Sequence, residues 1–337
     1  MIDLLVPAIV ISVISFVIVL ATTPLLIKFL EQKNLTVIDV NKKNSPQVAR
    51  PGGISIIIGL LAAELSLYLF LPLTEILAVI ATTFAAFVIG FVDDRKVMSG
   101  WFKIIALVFA ALPIIFFGAY DSNLTFPLFG DVQIPILYVG LILFIIPITG
   151  NTINSIDVLN GAASGFMTIA SFSLFACLII LQNYEIALIS LPLGFVSLAF
   201  YKFHKLPSKI FPGDSGALTL GAMYGSIAIV GQVEVIAAVA LLPAIINSFL
   251  FLSSTKKIKE HRQIKSKPVI HTDDFKLQAS KNTDAPVTLV RLILAGGPLT
   301  EKQVTIRSMV LLMSMMRLLV THWLAYSQKH LRFENVP

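Results

Sequence analysis

The sequence predicts an all-α fold, a polytopic integral membrane protein of about ten transmembrane helices with its active face on the cytoplasmic side. Three observations predict it. The 337 residues are 56% hydrophobic and only 13% charged, with a mean hydropathy of +0.88, which leaves too few charges to cover a soluble surface. The apolar residues gather into long runs. Lys and Arg fall almost wholly on alternate loops between those runs.

The runs lie near 5–30, 54–71, 76–92, 102–118, 133–150, 162–181, 185–202, 215–231, 234–252 and 304–325. They are too long and too uniformly apolar for barrel strands. A lipid core demands that each backbone group be paired within its own segment, so each run is read as a helix. Several runs are only 17 or 18 residues long, so counts of nine or eleven stay open. The first run is not read as a signal peptide, because it lacks a basic leader, carries Asp3 and exceeds a signal core in length.

With the start of the chain outside, loops 31–53, 93–101, 151–161, 203–214 and 253–303 fall inside. These loops and their margins hold nearly all the basic residues, ten of them between Lys256 and Lys302. Loops 72–75, 119–132, 182–184 and 232–233 contain no Lys or Arg. Both termini are therefore expected outside the cell membrane. The chain, 1–337, reads as one integral domain without internal repeats. Its pI of 9.3 reflects anchoring at the membrane surface rather than nucleic-acid binding. Cys177 stands alone in an apolar run, so neither a disulfide nor a thiolate metal site is indicated. The short apolar patch from Val287 to Leu294 is expected to form an interfacial amphipathic helix.

The chemistry should lie where carboxylates and amides meet these inside loops. A charge near the centre of a membrane helix costs about 2.5–3.5 kcal/mol, so acids at membrane borders call for a reason. Asp93-Asp94 ends the third run, and Lys103 opens the fourth. Two adjacent carboxylates repel, and a lysine across the loop compensates them and offers a phosphate contact. Asn151, Asn154, Asp157 and Asn160 recur every three residues before Gly161, and in a helix this spacing stacks them on one face. Such oxygens suit Mg²⁺, or hydrogen bonds to a base or sugar. Capping explains one of the four, not all. Phe211-Pro212-Gly213-Asp214 opens the eighth run, where an acid is stabilised and backbone N–H groups can take phosphate. A plain N-cap is the simpler account of Asp214 taken alone. His204, His322 and His330 read as interfacial residues without a role.

Together these motifs resemble the polyprenyl-phosphate N-acetylhexosamine-1-phosphate transferases, over nearly the whole chain. The resemblance is carried by Asp39-Val40-Asn41-Lys42 with Pro51-Gly52-Gly53, by Asp93-Asp94 with Lys103, by the Asn151 to Gly161 series, and by Phe211 to Gly216. Within the family, the Asp-Val-Asn-Lys start and the segment Gly297-Pro298-Leu299-Thr300-Glu301-Lys302 are similar to the archaeal and eukaryotic branch that begins N-linked glycans on dolichyl phosphate. Only His261 and His271 stand where the bacterial branch is histidine-rich. The compact last inside loop suits an archaeal enzyme better than a eukaryotic one.

The resemblance implies transfer of N-acetylglucosamine-1-phosphate, or a related sugar phosphate, from a UDP-N-acetylhexosamine to a polyprenyl or dolichyl phosphate, releasing UMP. It implies Asp93, Asp94 and Lys103 as catalytic residues. Asn154 and Asp214, with Asp157 close by, are implied as the Mg²⁺ site, with Mn²⁺ as a substitute. Asn41, Arg50, Asn151, Asn160, Gly161, Arg262, Lys267 and His271 are implied as substrate contacts, and a homodimer is compatible with it. Two rival readings are the same reaction with another UDP-sugar and, ranked lower, a transporter. Transporters place charge at the midplane and often carry repeats, whereas the acids here sit at one border.

Overall fold

The computed structural model describes residues 2–126, 130–256, 264, 266–315 and 317. Six helices among them are long and apolar enough to cross a membrane. They are α1 (Ile2–Gln32), α2 (Gly53–Phe70), α3 (Thr74–Arg95), α6 (Pro135–Ile156), α7 (Ala162–Ile180) and α8 (Tyr184–His204). A seventh span arises if α10 (Glu234–Ala240) and α11 (Leu242–Thr255), bent by 71°, are taken together. The bend has a local cause: Pro243 sits in the first turn of α11, where proline starts a helix but cannot continue one.

By length and apolar character six or seven helices among the described residues qualify, so the expected ten is not confirmed, and the runs that do not qualify fall short for physical reasons. The fourth apolar run is split into α4 (Gly100–Ala110) and α5 (Leu112–Phe116), with Pro113 again in the first turn after the break. The eighth run is α9 (Gly213–Val230), in which every residue except Asp214 is buried. A helix enclosed by protein need not be apolar enough for lipid, and α9 is rich in Gly, Ser and Thr. The described part of the last run is helical over 301–315.

The position of α9 organises the site. It packs on α3, α6, α2 and α8. The contact with α3 is close: a Cβ on Gly90 would lie 2.6 Å from the carbonyl oxygen of Asp214 and from Cα of Ser215. Asp94 follows Gly90 by four residues and so shares its face. The close approach therefore delivers the Asp94 carboxylate to the first turn of α9.

The first inside loop folds as an antiparallel hairpin, β1 (Thr36–Ile38) with β2 (Gln47–Ala49). Backbone bonds tie it to the loop before α9: Phe211 N–H donates to Ala49 at 2.9 Å, and Gly52 N–H to Phe211 at 2.8 Å. A second hairpin, β3 (Asn123–Phe126) with β4 (Gly130–Gln133), lies at the other end of α6. A third joins β5 (Val269–His271) to β6 (Leu277–Ala279).

The expected interfacial helix at Val287 to Leu294 is instead the five-residue α12 (Leu289–Ile293), followed by a 3-10 turn. Its apolar side faces protein. Val290 and Leu294 are buried in a small cluster with Leu159, Leu277 and Val304. Arg291 holds the preceding loop through the carbonyls of Ser280 and Asn282, each at 2.9 Å. Val290 and Leu294 are thus buried on the protein's own loops, while Leu292 stays 49% exposed.

Candidate active site

A cavity of about 740 Å³ opens where four of the five inside loops converge. Its walls come from the β1–β2 loop, the ends of α3, α6 and α8, and the start of α9. Five carboxyl groups line it, those of Asp39, Asp93, Asp94, Asp157 and Asp214, against the guanidiniums of Arg50 and Arg95. Lys103 reaches the same acids from α4.

Asp214 is the hub. Lys103 Nζ lies 3.0 Å from its Oδ1, Arg50 Nη2 lies 2.7 Å from its Oδ2, and Asn154 Nδ2 donates to Oδ1 at 2.8 Å. Lys103 also pairs with Asp93 at 2.5 Å, and Arg50 Nη2 with Asp94 at 3.0 Å. These pairs are largely withdrawn from water, Lys103 being 5% exposed and Asp94 1%. Charge pairs so placed depend on having every partner present.

The two adjacent acids are occupied differently. Asp93 accepts the Met98 N–H at 2.6 Å and pairs with Lys103 through its other oxygen. Asp94 caps α9, accepting the N–H groups of Asp214 and Ser215, each at 2.9 Å, and the Ser215 hydroxyl at 2.7 Å. Gly213 makes that cap feasible. Its φ is +71°, and a Cβ there would lie 2.7 Å from the Asp94 carboxylate.

Electrostatics follow from this enclosure. Burial alone would lower the pKa of the Arg50 guanidinium, but the facing Asp94, Asp214 and Asp157 outweigh it and raise it. Burial pushes the Asp157 carboxyl up to about 7, against the pull of Arg50. Asp157 therefore keeps a proton for much of the time near neutrality, while Arg50 stays charged.

The three-residue series divides where α6 ends. Asn151 and Asn154 lie on the helix, but α6 stops at Ile156 and Asp157 begins a turn. Asn154 and Asp157 line the cavity, whereas Asn151 turns back on its own helix and donates to the Pro147 carbonyl at 2.9 Å. Asn160 is spent on holding loops together. Its amide nitrogen donates to Asp39 at 3.0 Å and to Glu301 at 2.6 Å, and its oxygen accepts from Ser208 N–H at 3.1 Å. Glu301 also pairs with Lys42. Gly161 begins α7 at φ +80°, and Asn41 lines the cavity, donating to the Val158 carbonyl at 3.3 Å.

Lys267 and His271 are exposed and do not line the cavity, and the His271 ring stacks on Phe275 at 4.6 Å. Arg262 lies outside the described residues. His204, expected as an interfacial residue, is fully buried and lines the cavity. Glu301 and His204 went unrecognised because their partners lie 141 and 40 residues away. A hint was available for His204: it stands at the mouth of the loop that leads to Asp214.

Among the described residues no three His, Cys, Asp or Glu side chains converge as a metal cluster. The donors that suit a hard divalent cation are the Asp214 carboxylate and the Asn154 amide, which presents Oδ1 once turned by half a rotation. Mg²⁺ is commonly held by one or two protein oxygens together with substrate phosphates and water. Acids outnumber cations around the cavity, so an anionic substrate would need an added cation to enter. On these grounds the residues fit Mg²⁺.

Comparison with known proteins supplies the class, a sugar-transferring enzyme with membrane-type helices. The family model described as glycosyl transferase family 4 matches residues 76–232. A provisionally named glycosyltransferase of Methanocaldococcus jannaschii is 30% identical over 82% of this chain and 85% of its own length. A Saccharolobus solfataricus protein, provisionally named UDP-N-acetylglucosamine–dolichyl-phosphate N-acetylglucosaminephosphotransferase, is 29% identical over 87% of this chain and 89% of its own. The phospho-N-acetylmuramoyl-pentapeptide-transferase of Chlorobium limicola is 30% identical over 71% and 73%. The chain belongs to glycosyl transferase family 4.

Proposed function

We propose that this chain transfers N-acetylglucosamine-1-phosphate from UDP-N-acetylglucosamine to a dolichyl or related polyprenyl phosphate, in the first step of lipid-linked glycan assembly. The observation that carries the reading is the Lys103–Asp214–Arg50 network at the convergence of the loops, next to Asn154. Two archaeal relatives, from Saccharolobus solfataricus and Sulfolobus acidocaldarius, carry the name of this activity. An oxygen of the lipid phosphate forms a bond to the β-phosphorus of the donor. The bond from that phosphorus to the bridging oxygen breaks, and its electron pair leaves with UMP.

The residues divide the work. Asp93, with both oxygens engaged, orients Lys103 rather than acting as a base. Lys103 faces the charge that grows on the phosphoryl oxygens, and such preorganised stabilisation dominates phosphoryl transfer. Arg50 balances Asp94 and Asp214 and lies where a diphosphate would reach it. Asp214 and Asn154 would hold Mg²⁺, which when bound neutralises diphosphate charge. The acceptor phosphate is already an anion, so little base catalysis is required.

The second reading, the same transfer with another UDP-sugar, draws only weak support from the muramoyl-pentapeptide-transferase relatives. Purified protein given dolichyl phosphate, Mg²⁺ and a panel of UDP-sugars should release UMP with UDP-N-acetylglucosamine above all others. Preference for a different UDP-sugar would move the protein to the second reading. Absence of UMP with every donor would overturn both.

The same reading has ten spans, with the cavity facing the cytosolic nucleotide sugar and both termini outside. Its support is that the C-terminal ends of α3, α6 and α8 and the N-terminal end of α9 all meet at one cavity, as loops on one side of a membrane require. In a Cys177→Ala background, cysteine at Ser122 should react with an impermeant maleimide on intact cells. Cysteine at the exposed Ser45 should react only after the membrane is opened. Labelling of the Ser45 variant from outside would invert the orientation.

A further inference from the structure

His204 has no place in the transfer chemistry derived above, yet it is enclosed in the wall of the cavity. Its side chain is 1% exposed. The ring sits between Phe200 and Phe211, with centroids 5.9 and 6.1 Å away. Nδ1 lies 2.9 Å from the Ser164 hydroxyl on α7. Nε2 faces Asp157 Oδ1 at 3.4 Å. Both of these facing atoms are buried and have no hydrogen-bond partner among the described residues.

A ring kept only to fill space between two phenylalanines would not present one nitrogen to a serine and the other to a cavity carboxyl. Buried polar atoms are nearly always paired in native proteins, and these two face each other at 3.4 Å. The serine fixes the sense of the pair. With Ser164 O–H donating to Nδ1, the ring proton resides on Nε2, the nitrogen that faces Asp157 Oδ1 at 3.4 Å. The tautomer of a histidine is set in this way by the partner of its other nitrogen.

We infer that Ser164 and His204 form a positioning relay that fixes the Asp157 carboxyl toward Arg50 and the rest of the acid–base network. Asp157 stands in the turn just after α6, beyond the helical ladder that holds Asn154. The Ala163 backbone N–H already reaches its carboxyl from α7, and the relay adds a tie through His204 on α8. A carboxyl that wandered by an ångström would change the field at Arg50 and loosen the pairing of Asp94 and Asp214. Misplacement on that scale is enough to cost catalysis about 10²-fold.

The inference rests on the transferase reading, and the test separates the two. His204→Phe keeps the ring volume and removes both polar ends. His204→Gln keeps a donor nitrogen near the place of Nε2. These variants, Ser164→Ala, Asp157→Asn and the double variant Asp157→Asn/His204→Phe are compared for UMP release from UDP-N-acetylglucosamine. UMP affinity is measured by calorimetry.

His204→Phe should lower kcat about tenfold or more, with UMP affinity changed by less than threefold. His204→Gln should restore most of the loss, and Ser164→Ala should fall between. The double variant should be no slower than Asp157→Asn alone, because a residue acting through another adds nothing once that other is gone. Additive losses in the double variant, or wild-type kcat in His204→Phe, would overturn the relay. Should His204→Phe fail to fold, Ser164→Ala at wild-type kcat would overturn it instead. A wild-type chain that binds UMP but transfers no N-acetylglucosamine-1-phosphate would refute the function, not the relay. The relay is then read from melting temperatures of the same cycle, where coupling supports it and additivity removes it.

Discussion

Lys103→Met should lower kcat by about 10²–10³-fold while leaving the affinity for the UDP-sugar nearly unchanged, the size of effect seen when one preorganised donor is removed from a developing anion. Methionine preserves the unbranched stem, so the lost element is the ammonium. That ammonium lies 2.5 Å from Asp93 and 3.0 Å from Asp214, poised between two carboxylates that would otherwise repel. Removing it should also lower the melting temperature, because a buried pair broken on one side costs about 3–5 kcal/mol. Lys103→Arg, which keeps the charge, should recover stability more fully than rate. Turnover at the wild-type kcat with a raised KM would mean that Lys103 only holds the donor.

Chelation should have the largest effect of all. In excess EDTA, release of UMP should stop, and added Mg²⁺ should restore it, with Mn²⁺ as a substitute. The expectation follows from charge. Five carboxyl groups surround the cavity, and donor and acceptor both bring phosphates. Arg50 and Lys103 are turned toward those acids, and the Arg95 guanidinium lies over the Phe91 ring, which leaves little positive charge for the substrates. Asp214→Ala should mimic chelation without unfolding the protein, although it frees Lys103 and Arg50 from one partner each. Undiminished turnover in chelator would exclude Asp214 and Asn154 as a metal site.

What was legible in the sequence was whatever depends on short range. Asp93, Asp94 and Asp214 stood out because a carboxylate at the end of an apolar run has few reasons to be there. Lys103 followed because the loop between it and the acid pair is short. The long apolar runs gave the helices, but they did not reveal that α9 is walled in by protein on every side. Enclosure is a property of neighbours, not of a helix's own residues. The spacing of Asn151 to Asn160 suggested one helical face, and the end of α6 at Ile156 breaks it. No propensity in that stretch announces the stop. Asn160 looked like a substrate contact because of its place beside Gly161. Only the fold brings Asp39, Ser208 and Glu301 to its amide. His204 was passed over for the same reason, its two partners being supplied by α7 and the turn after α6.

The bonds made by Glu301 also order events in time. Synthesis runs from the first residue to the last, and Lys42 and Asn160 leave the ribosome 259 and 141 residues ahead of the carboxylate that joins them. Until that carboxylate arrives, the first inside loop and the turn at Asn160 are joined by the bonds of Asp39 to Asn160 and of Asn41 to the Val158 carbonyl, without the clasp of Glu301. The loops around the cavity of a nascent chain therefore lack this clasp until the segment carrying Glu301 has been made. Arrival of the segment that begins at Glu301 closes it, so a chain interrupted before that point would carry all the acids of the cavity and lack the clasp that holds their loops in register.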